Sequence, residues 1–414
     1  MKSACWPGKW VGTFVEEATD QCRRVMMELL WLLLPVAAAS GWWAARRGYA
    51  GRNGATVRSA EYFKGLNYLI DDKPDQAIEV FTRMADVDRD TAETHLALGN
   101  LFRRRGEVDR AIHIHGSLIA RSNLTADQRR RAMLELGEDY LRAGLFDRAE
   151  ALFRELVDQP DHMEVAIPRL IYIFQQEKDW RQAIAYCDRL ERIGGESKRR
   201  ETAHFCCELA EEASARQEDA EARTWLLDAL ARDPDCARAS LLLGRLAMRA
   251  GDHRAAITAF QAVERQDRGY FPEVIAPLGQ CYSALGCLDQ WVCYLREVQE
   301  RDHGGRITDA LAEWLLQQEG EDAALQFLER ELREYPTLLG LRRLVEIKLA
   351  RGEGAEYADL RALQCISTQM LNGAARYRCA NCGFVVKSLH WCCPSCQQWN
   401  AIKPMPDLVM KTSG

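Results

Sequence analysis

One spacing restricts this chain more than any other feature. A small residue opens one candidate helix after another at Ala77, Ala111, Ala149, Ala183, Ala222, Ala256 and Ala324, with the large Trp291 in the same register. The anchors recur at a nearly constant interval, and other positions keep step. Twelve residues earlier stand Gly65, Gly99, Gly137, Ile171, Ala210, Gly244, Gly279 and Ala312. Nine earlier stand Tyr68, Phe102, Tyr140, Phe174, Ala213, Ala247, Tyr282 and Leu315, and four later stand Phe81, His115, Phe153, Cys187, Leu226, Phe260, Leu295 and Leu328. A small residue lets two helices of a hairpin approach closely, and an aromatic fills the space between one hairpin and the next. Turn signals part the helices at Lys73-Pro-Asp, Arg105-Gly-Glu, Ala143-Gly-Leu, Ala250-Gly-Asp and Leu285-Gly-Cys. One hairpin cannot bury its apolar face alone, so the hairpins must stack.

The interval is roughly 34 residues with short insertions, the signature of tetratricopeptide repeats. The expected fold is all-α: a right-handed repeat superhelix over residues 60–371, with eight repeats and a degenerate ninth near Leu338–Ala350. Scarce proline and abundant Ala, Leu, Arg and Glu agree with helix. The formal charge of −6 leaves no basic excess to neutralise phosphates, which argues against nucleic acid as the main partner. Such arrays bind segments of other proteins. The Lys/Asn pattern that clamps a terminal carboxylate is incomplete, since Asn100 and Arg104 match part of it but Tyr62 and Leu66 stand where Lys and Asn are needed. Asn100 and the runs Arg103–Arg105 and Arg129–Arg131 read as solvated helix faces. No Walker A loop, dinucleotide glycine fingerprint, nucleophile elbow or HExxH occurs, so an enzyme reading has no residues to stand on.

The strongest chemical signal closes the chain. Cys379-Ala-Asn-Cys382 and Cys393-Pro-Ser-Cys396 are two CxxC pairs separated by ten residues. Each pair sits on one tight turn, and two such turns facing each other make a tetrahedral four-sulfur site. A module of residues 376–404 is too short to bury a stable core, so a metal is its expected staple. Gly383 permits the positive φ that turns backbone N–H groups toward the sulfurs, whereas Gln397 follows Cys396 and makes the second knuckle less regular. Cys392 and His390 read as bystanders, and Trp391 and Trp399 as packing for the tiny core. Spacing does not choose between iron and zinc. Two pairs without a βαβ pattern argue against a dithiol catalyst. The chain holds fifteen cysteines in all. Most of those of the middle (Cys187, Cys206, Cys207, Cys236, Cys281, Cys287, Cys293 and Cys365) read as small core hydrophobes rather than a disulfide framework.

Near the start, Leu29–Ala45 carries no charge. As a helix, a run of about 17 residues is just enough to cross the hydrocarbon layer. Trp31 and Trp42-Trp43 lie where interfacial indoles belong, and Arg46-Arg47 hold the C-terminal side in the cytoplasm. Arg23-Arg24 with Ala37–Ala39 offers a rival, a cleaved signal peptide, but export would endanger so many free thiols. Residues 1–25 show no helical period. They are expected to be a non-native or disordered extension, with translation starting at Met26 or Met27. The expected order is then a transmembrane helix over 27–46, a linker over 47–59, the array, the metal module and a tail over 405–414.

This order, together with specific strings, resembles the lipopolysaccharide assembly protein B family of Gram-negative bacteria. The strings are Met27–Ala39, Leu98–Ile112, Ala203-His-Phe205 with Cys207–Ala210, and Tyr377–Cys379 through Ile402–Pro404. The resemblance covers roughly residues 27–404. It implies a rubredoxin-like terminal module binding one iron or zinc ion through Cys379, Cys382, Cys393 and Cys396. It also implies a single-pass inner-membrane protein, N-terminus out and bulk in the cytoplasm. The activity it implies is non-enzymatic: an adaptor that helps a membrane-bound AAA+ metalloprotease degrade the committed lipid A deacetylase and gathers other lipopolysaccharide-synthesis proteins. A homodimer is among the partners this reading admits. The rivals are a rubredoxin-type electron-transfer protein and a generic membrane-tethered scaffold.

Overall fold

The computed structural model describes residues 73–87, 92–122, 124–352, 357–373 and 375–405, with short helical pieces at 39–40, 42–43, 63–65 and 67–68. The expected extension 1–25, linker 47–59, nearly all of the expected transmembrane segment and all but Met405 of the tail lie outside these residues. Among the described residues no helix is long and apolar enough to cross a membrane.

The chain divides into two compact units, Met1–Leu156 and Val157–Gly414. The first holds α1 (Pro74–Val87), α2 (Ala92–Arg104), α3 (Val108–Ile119), α4 (Ala126–Arg142) and α5 (Phe146–Leu156). The second holds α6 (Pro160–Glu177), α7 (Trp180–Arg192), α8 (Arg199–Ala215), α9 (Asp219–Arg232), α10 (Ala237–Arg249) and α11 (His253–Gln266). A 3-10 turn (Arg268–Glu273) leads to α12 (Ile275–Ala284), α13 (Leu288–Gln299), α14 (Gly305–Gln318), α15 (Glu321–Glu334), α16 (Leu338–Ala350) and α17 (Ala358–Gly373). The chain ends in three short strands, β1 (Tyr377–Cys379), β2 (Val385–Val386) and β3 (Ile402–Pro404).

Every anchor residue of the repeat pattern is the fourth residue of the second helix of a hairpin, and every one is buried. The turn before that helix needs one left-handed residue, supplied by Gly106, Gly144, Gly251, Gly286 and Gly320, and by Lys178 and Gln217 where glycine is missing. The residue twelve before the anchor meets the residue four after it. A Cβ built on Gly65, Gly137 or Gly244 would lie 2.7, 2.6 or 2.3 Å from the ring of Phe81, Phe153 or Phe260. These aromatics therefore fill their own hairpin, and Phe81 and Phe260 also belong to core clusters that run into the hairpin that follows. The nine-before position also reaches a neighbouring hairpin at Tyr282, where Gln261 Nε2 of α11 donates to Tyr282 Oη of α12 at 3.1 Å. Trp291 is accommodated by exchange. Its ring takes the place beside Gly279, whose built Cβ would lie 3.1 Å away, and a smaller Leu295 stands four residues on.

This packing separates two glycines by sign. Gly244→Ala puts a methyl into the Phe260 ring and should cost about 1–3 kcal/mol through overpacking, outweighing the gain of about 1 kcal/mol in helix propensity. Gly116→Ala in α3 meets nothing within 4 Å and should gain about 0.5–1 kcal/mol. Thermal unfolding checks both; shifts of the same sign would contradict the packing account.

The second hairpin departs from the pattern. His115 stands where its neighbours have phenylalanine, with its ring over Gly99. Fully buried, its Nδ1 lies 2.5 Å from Asp139 Oδ2, and Asp139 Oδ1 accepts from Arg103 Nη1 at 2.8 Å. Arg103 Nη2 donates to Glu135 Oε2 and to Asn100 Oδ1, at 2.5 and 2.7 Å. Asn100 and Arg103 are thus members of a half-buried polar network joining α2, α3 and α4, not a solvated face. Of the middle cysteines, Cys187, Cys206, Cys207, Cys236 and Cys281 are buried as expected and Cys287 partly so, but Cys293 and Cys365 are exposed.

Candidate metal centre

The four sulfurs of Cys379, Cys382, Cys393 and Cys396 all lie within 4.8 Å of one another. Two pairs stand at 3.7 Å, Cys379 with Cys396 and Cys382 with Cys393. A regular tetrahedron with metal–sulfur bonds near 2.3 Å has edges of about 3.8 Å, so the cluster fits one ion. Each knuckle contributes one buried and one outward ligand: Cys379 and Cys393 are buried, Cys396 is half-buried and Cys382 exposed.

The local fold makes this geometry. β1 lies between its partners in a sheet of order β2–β1–β3, both pairings antiparallel, with Cys379 opposite Ile402. Cys379 N–H donates to Phe384 O at 2.7 Å and Ala380 N–H to Ala401 O at 2.7 Å, closing the first knuckle. Cys393 N–H donates to Gln398 O at 3.0 Å and Asn400 N–H to Trp391 O at 2.8 Å, closing the second. The residue after each CxxC takes a left-handed conformation, Gly383 at φ 77° and Gln397 at φ 58°. The second knuckle is therefore as regular as the first, although a side chain rides in the strained position.

Amide donors point at the sulfurs. Cys382 N–H lies 3.5 Å from Cys379 Sγ. The Asn381 side chain and the Gln398 N–H hold the Cys396 thiol down to about 6, while burial pushes Cys393 up to about 11. Such donors stabilise thiolates, the form a metal binds. Cys392 stays outside the cluster and its thiol donates to Gln397 O at 3.4 Å; His390 is exposed and contacts Ser388 Oγ.

The module's core is small: Tyr377, Cys379, Cys393, Ala401 and Ile402, flanked by Val386, Leu389 and Cys396. Trp391 and Trp399 are not part of it. Both indoles turn outward onto the repeats of the second unit. Trp399 stacks on His204 of α8 at 5.3 Å and meets Phe205 and Trp180 edge-on at 5.6 and 6.1 Å. Trp391 lies 4.8 Å from Tyr270 and 6.1 Å from His204. The buried Arg238 guanidinium sits over both rings, at 5.6 and 6.0 Å, and its Nη2 is held by Glu208 and Glu211 at 2.8 and 2.7 Å. Polar bonds complete the seam. Tyr270 Oη donates to Ile402 O at 2.8 Å, Tyr377 Oη to Glu273 Oε1 at 2.9 Å, and Lys403 Nζ to Asp267 Oδ2 at 2.5 Å.

This seam was not visible in the repeat pattern. The available signal was chemical: a module this short cannot enclose two indoles, and a buried histidine and arginine in an apolar repeat need an outside partner. His204 also makes the seam sensitive to acid. Burial, then the charges of Arg238 and Lys403, hold its pKa down to about 3 from 6.5, and its Nδ1 has no hydrogen-bond partner among the described residues. Lifted off, the imidazole returns toward 6.5 and binds a proton that the docked state refuses. Docking is therefore fully stable above about 6.5 and weakens as pH falls toward 3, by at most about tenfold per unit. Hydrogen exchange at Asn400, corrected for its intrinsic rate, should quicken between about pH 7 and pH 5. The added slope should vanish in His204→Leu; if it persists there, another group is titrating.

Comparisons with known proteins follow the same division. Residues 377–404 match the family model described as a rubredoxin metal binding domain, and residues 64–123 and 207–271 match a tetratricopeptide repeat model. Lipopolysaccharide assembly protein B of Escherichia coli (strain K12) is 39% identical over 386 residues, covering 92% of this chain and 99% of the relative. The protein of the same name from Haemophilus influenzae is 35% identical over 393 residues, covering 92% and 98%. Among solved structures, that of Pseudomonas aeruginosa pilF is 21% identical with a TM-score of 0.31, covering 54% of this chain and 98% of that one.

Proposed function

The chain belongs to the lipopolysaccharide assembly protein B family, and from that premise we propose that it is a non-enzymatic adaptor of lipopolysaccharide biosynthesis at the inner membrane. It promotes degradation of the committed lipid A deacetylase by the membrane-bound AAA+ metalloprotease, and it gathers other lipopolysaccharide-synthesis proteins. The observation that carries this reading is relatedness along nearly the whole chain, joined to tetratricopeptide hairpins, a unit that binds protein segments. A groove of about 430 Å³, lined by Leu226, Leu242, Leu246, Met248, Arg245 and Arg249 among others, offers one surface for such a segment.

In this reading residues 27–46 cross the membrane once, N-terminus out, and residues 47–59 link them to a cytoplasmic array over 60–371. Tethering raises the chain's effective concentration beside a membrane protease. Residues 376–404 hold one iron or zinc ion through Cys379, Cys382, Cys393 and Cys396. The ion's contribution is structural: it closes the two knuckles and so presents Trp391 and Trp399 to α8 and the Tyr270 turn. Depletion of the protein in its native host tests the proposal. The deacetylase half-life should lengthen and lipopolysaccharide accumulate; an unchanged half-life rejects the adaptor role.

A further inference from the structure

The metal module has a side that neither the ion nor the seam uses. β3 lies beside the repeats, where Tyr270 and Asp267 bind it, and β2 is the outer edge of the sheet. The register sets Arg378 opposite Val385, and strand alternation sends Arg376 and Lys387 to that same side. All four are exposed, and Phe384 at the hairpin tip and Val385 beside it are 40% and 47% accessible. None of the three cations forms an ion pair among the described residues.

The surrounding sequence sharpens the point. The chain is acidic overall at −6, yet no carboxylate occurs between Asp359 and Asp407. The same stretch holds Arg361, Arg376, Arg378, Lys387 and Lys403. Four thiolates around a dication leave two negative charges, and the module's four cations still keep it positive. We propose that this hairpin tip docks on the anionic headgroups of a lipid bilayer. Phe384 and Val385 enter the headgroup layer while Arg376, Arg378 and Lys387 face the phosphates. A lipid surface fits better than an acidic protein because a two-residue edge with one aromatic offers far less than the roughly 1,000 Å² a specific protein interface needs. Headgroups demand no shape complementarity, and each cation beside an anionic leaflet contributes about a factor of five, about a hundredfold for three. The inference rests on the membrane anchor of the proposed function, since tethering lets so small a patch engage.

The test uses the full metal-loaded chain in vesicles of phosphatidylcholine alone or with phosphatidylglycerol. Flotation reports the anchor and hydrogen exchange at residues 376–387 reports the tip. Flotation with both vesicles, and slowed exchange only on the anionic ones and only at low salt, is the expected result. The variant R376Q/R378Q/K387Q should float and keep its metal but lose the slowing. Equal exchange on both vesicle types overturns the inference and leaves the anchor standing. So does slowing that appears only when an acidic protein partner is added. Failure to float with either vesicle contradicts the anchor itself and the inference with it.

Discussion

Chelation of the ion will unfold residues 377–404 and release Trp391 and Trp399 from the repeats, while the helices keep their structure. The module has five buried core residues, two of them metal-site cysteines. So small a core cannot hold a fold of this size. In zinc-finger peptides a structural ion supplies about 10–16 kcal/mol, nearly all of the folding free energy. The reporters are the amides of Cys379, Ala380, Cys393 and Asn400, each bonded across the knuckles. They should exchange at unfolded-chain rates in the metal-free protein and in a Cys379→Ser/Cys382→Ser variant. Helical circular dichroism should change little, because the hairpins bury their own anchors. Protection that survives complete metal removal would mean that the aromatic seam alone folds the module.

Asp139→Ala should be among the most damaging single changes in the first unit, costing about 3 kcal/mol or more. Both carboxylate oxygens are committed, one to Arg103 and one to His115, and the side chain is fully buried. Removal leaves the buried imidazole with only Leu96 O, 3.3 Å from its Nε2, and a half-buried guanidinium with only Glu135 and Asn100. Adding His115→Phe should recover part of the loss. It installs the residue that Phe81, Phe153 and Phe260 already place over glycine in three other hairpins, and it removes the ring that has lost its carboxylate. Urea unfolding of the two single variants and the double measures the coupling. Additive effects would show that the histidine and the aspartate do not act as a pair.

The contrast between these two regions explains what the sequence made legible. Close helix approach needs a small residue at a fixed place, so Ala77, Ala111, Ala149, Ala183, Ala222, Ala256 and Ala324 announced the hairpins, though not their position as the fourth residue of each helix. Metal geometry needs thiols at fixed spacing, so all four cysteines of the cluster were readable. Cys392 and His390 could be set aside for the same reason. Contacts made across long separations leave no such period. Nothing in the spacing says that Trp399 will stack on His204, or that Arg238 will sit over two indoles from the far end of the chain. The aromatic at four after the anchor was legible as core but not in its partner, because both the same hairpin and the next one present an apolar wall. The exchange of Trp291 for a small residue likewise became intelligible only with Gly279 beside it.

The proposed delivery of a client to a protease can be tested with purified components. The lipid A deacetylase and the membrane AAA+ metalloprotease would be reconstituted in vesicles with and without the full metal-loaded chain, and the rate of deacetylase cleavage followed. Cleavage should be faster when the chain is present, and the gain should be lost in the Cys379→Ser/Cys382→Ser variant. An identical cleavage rate with and without the chain would rule out the adaptor role.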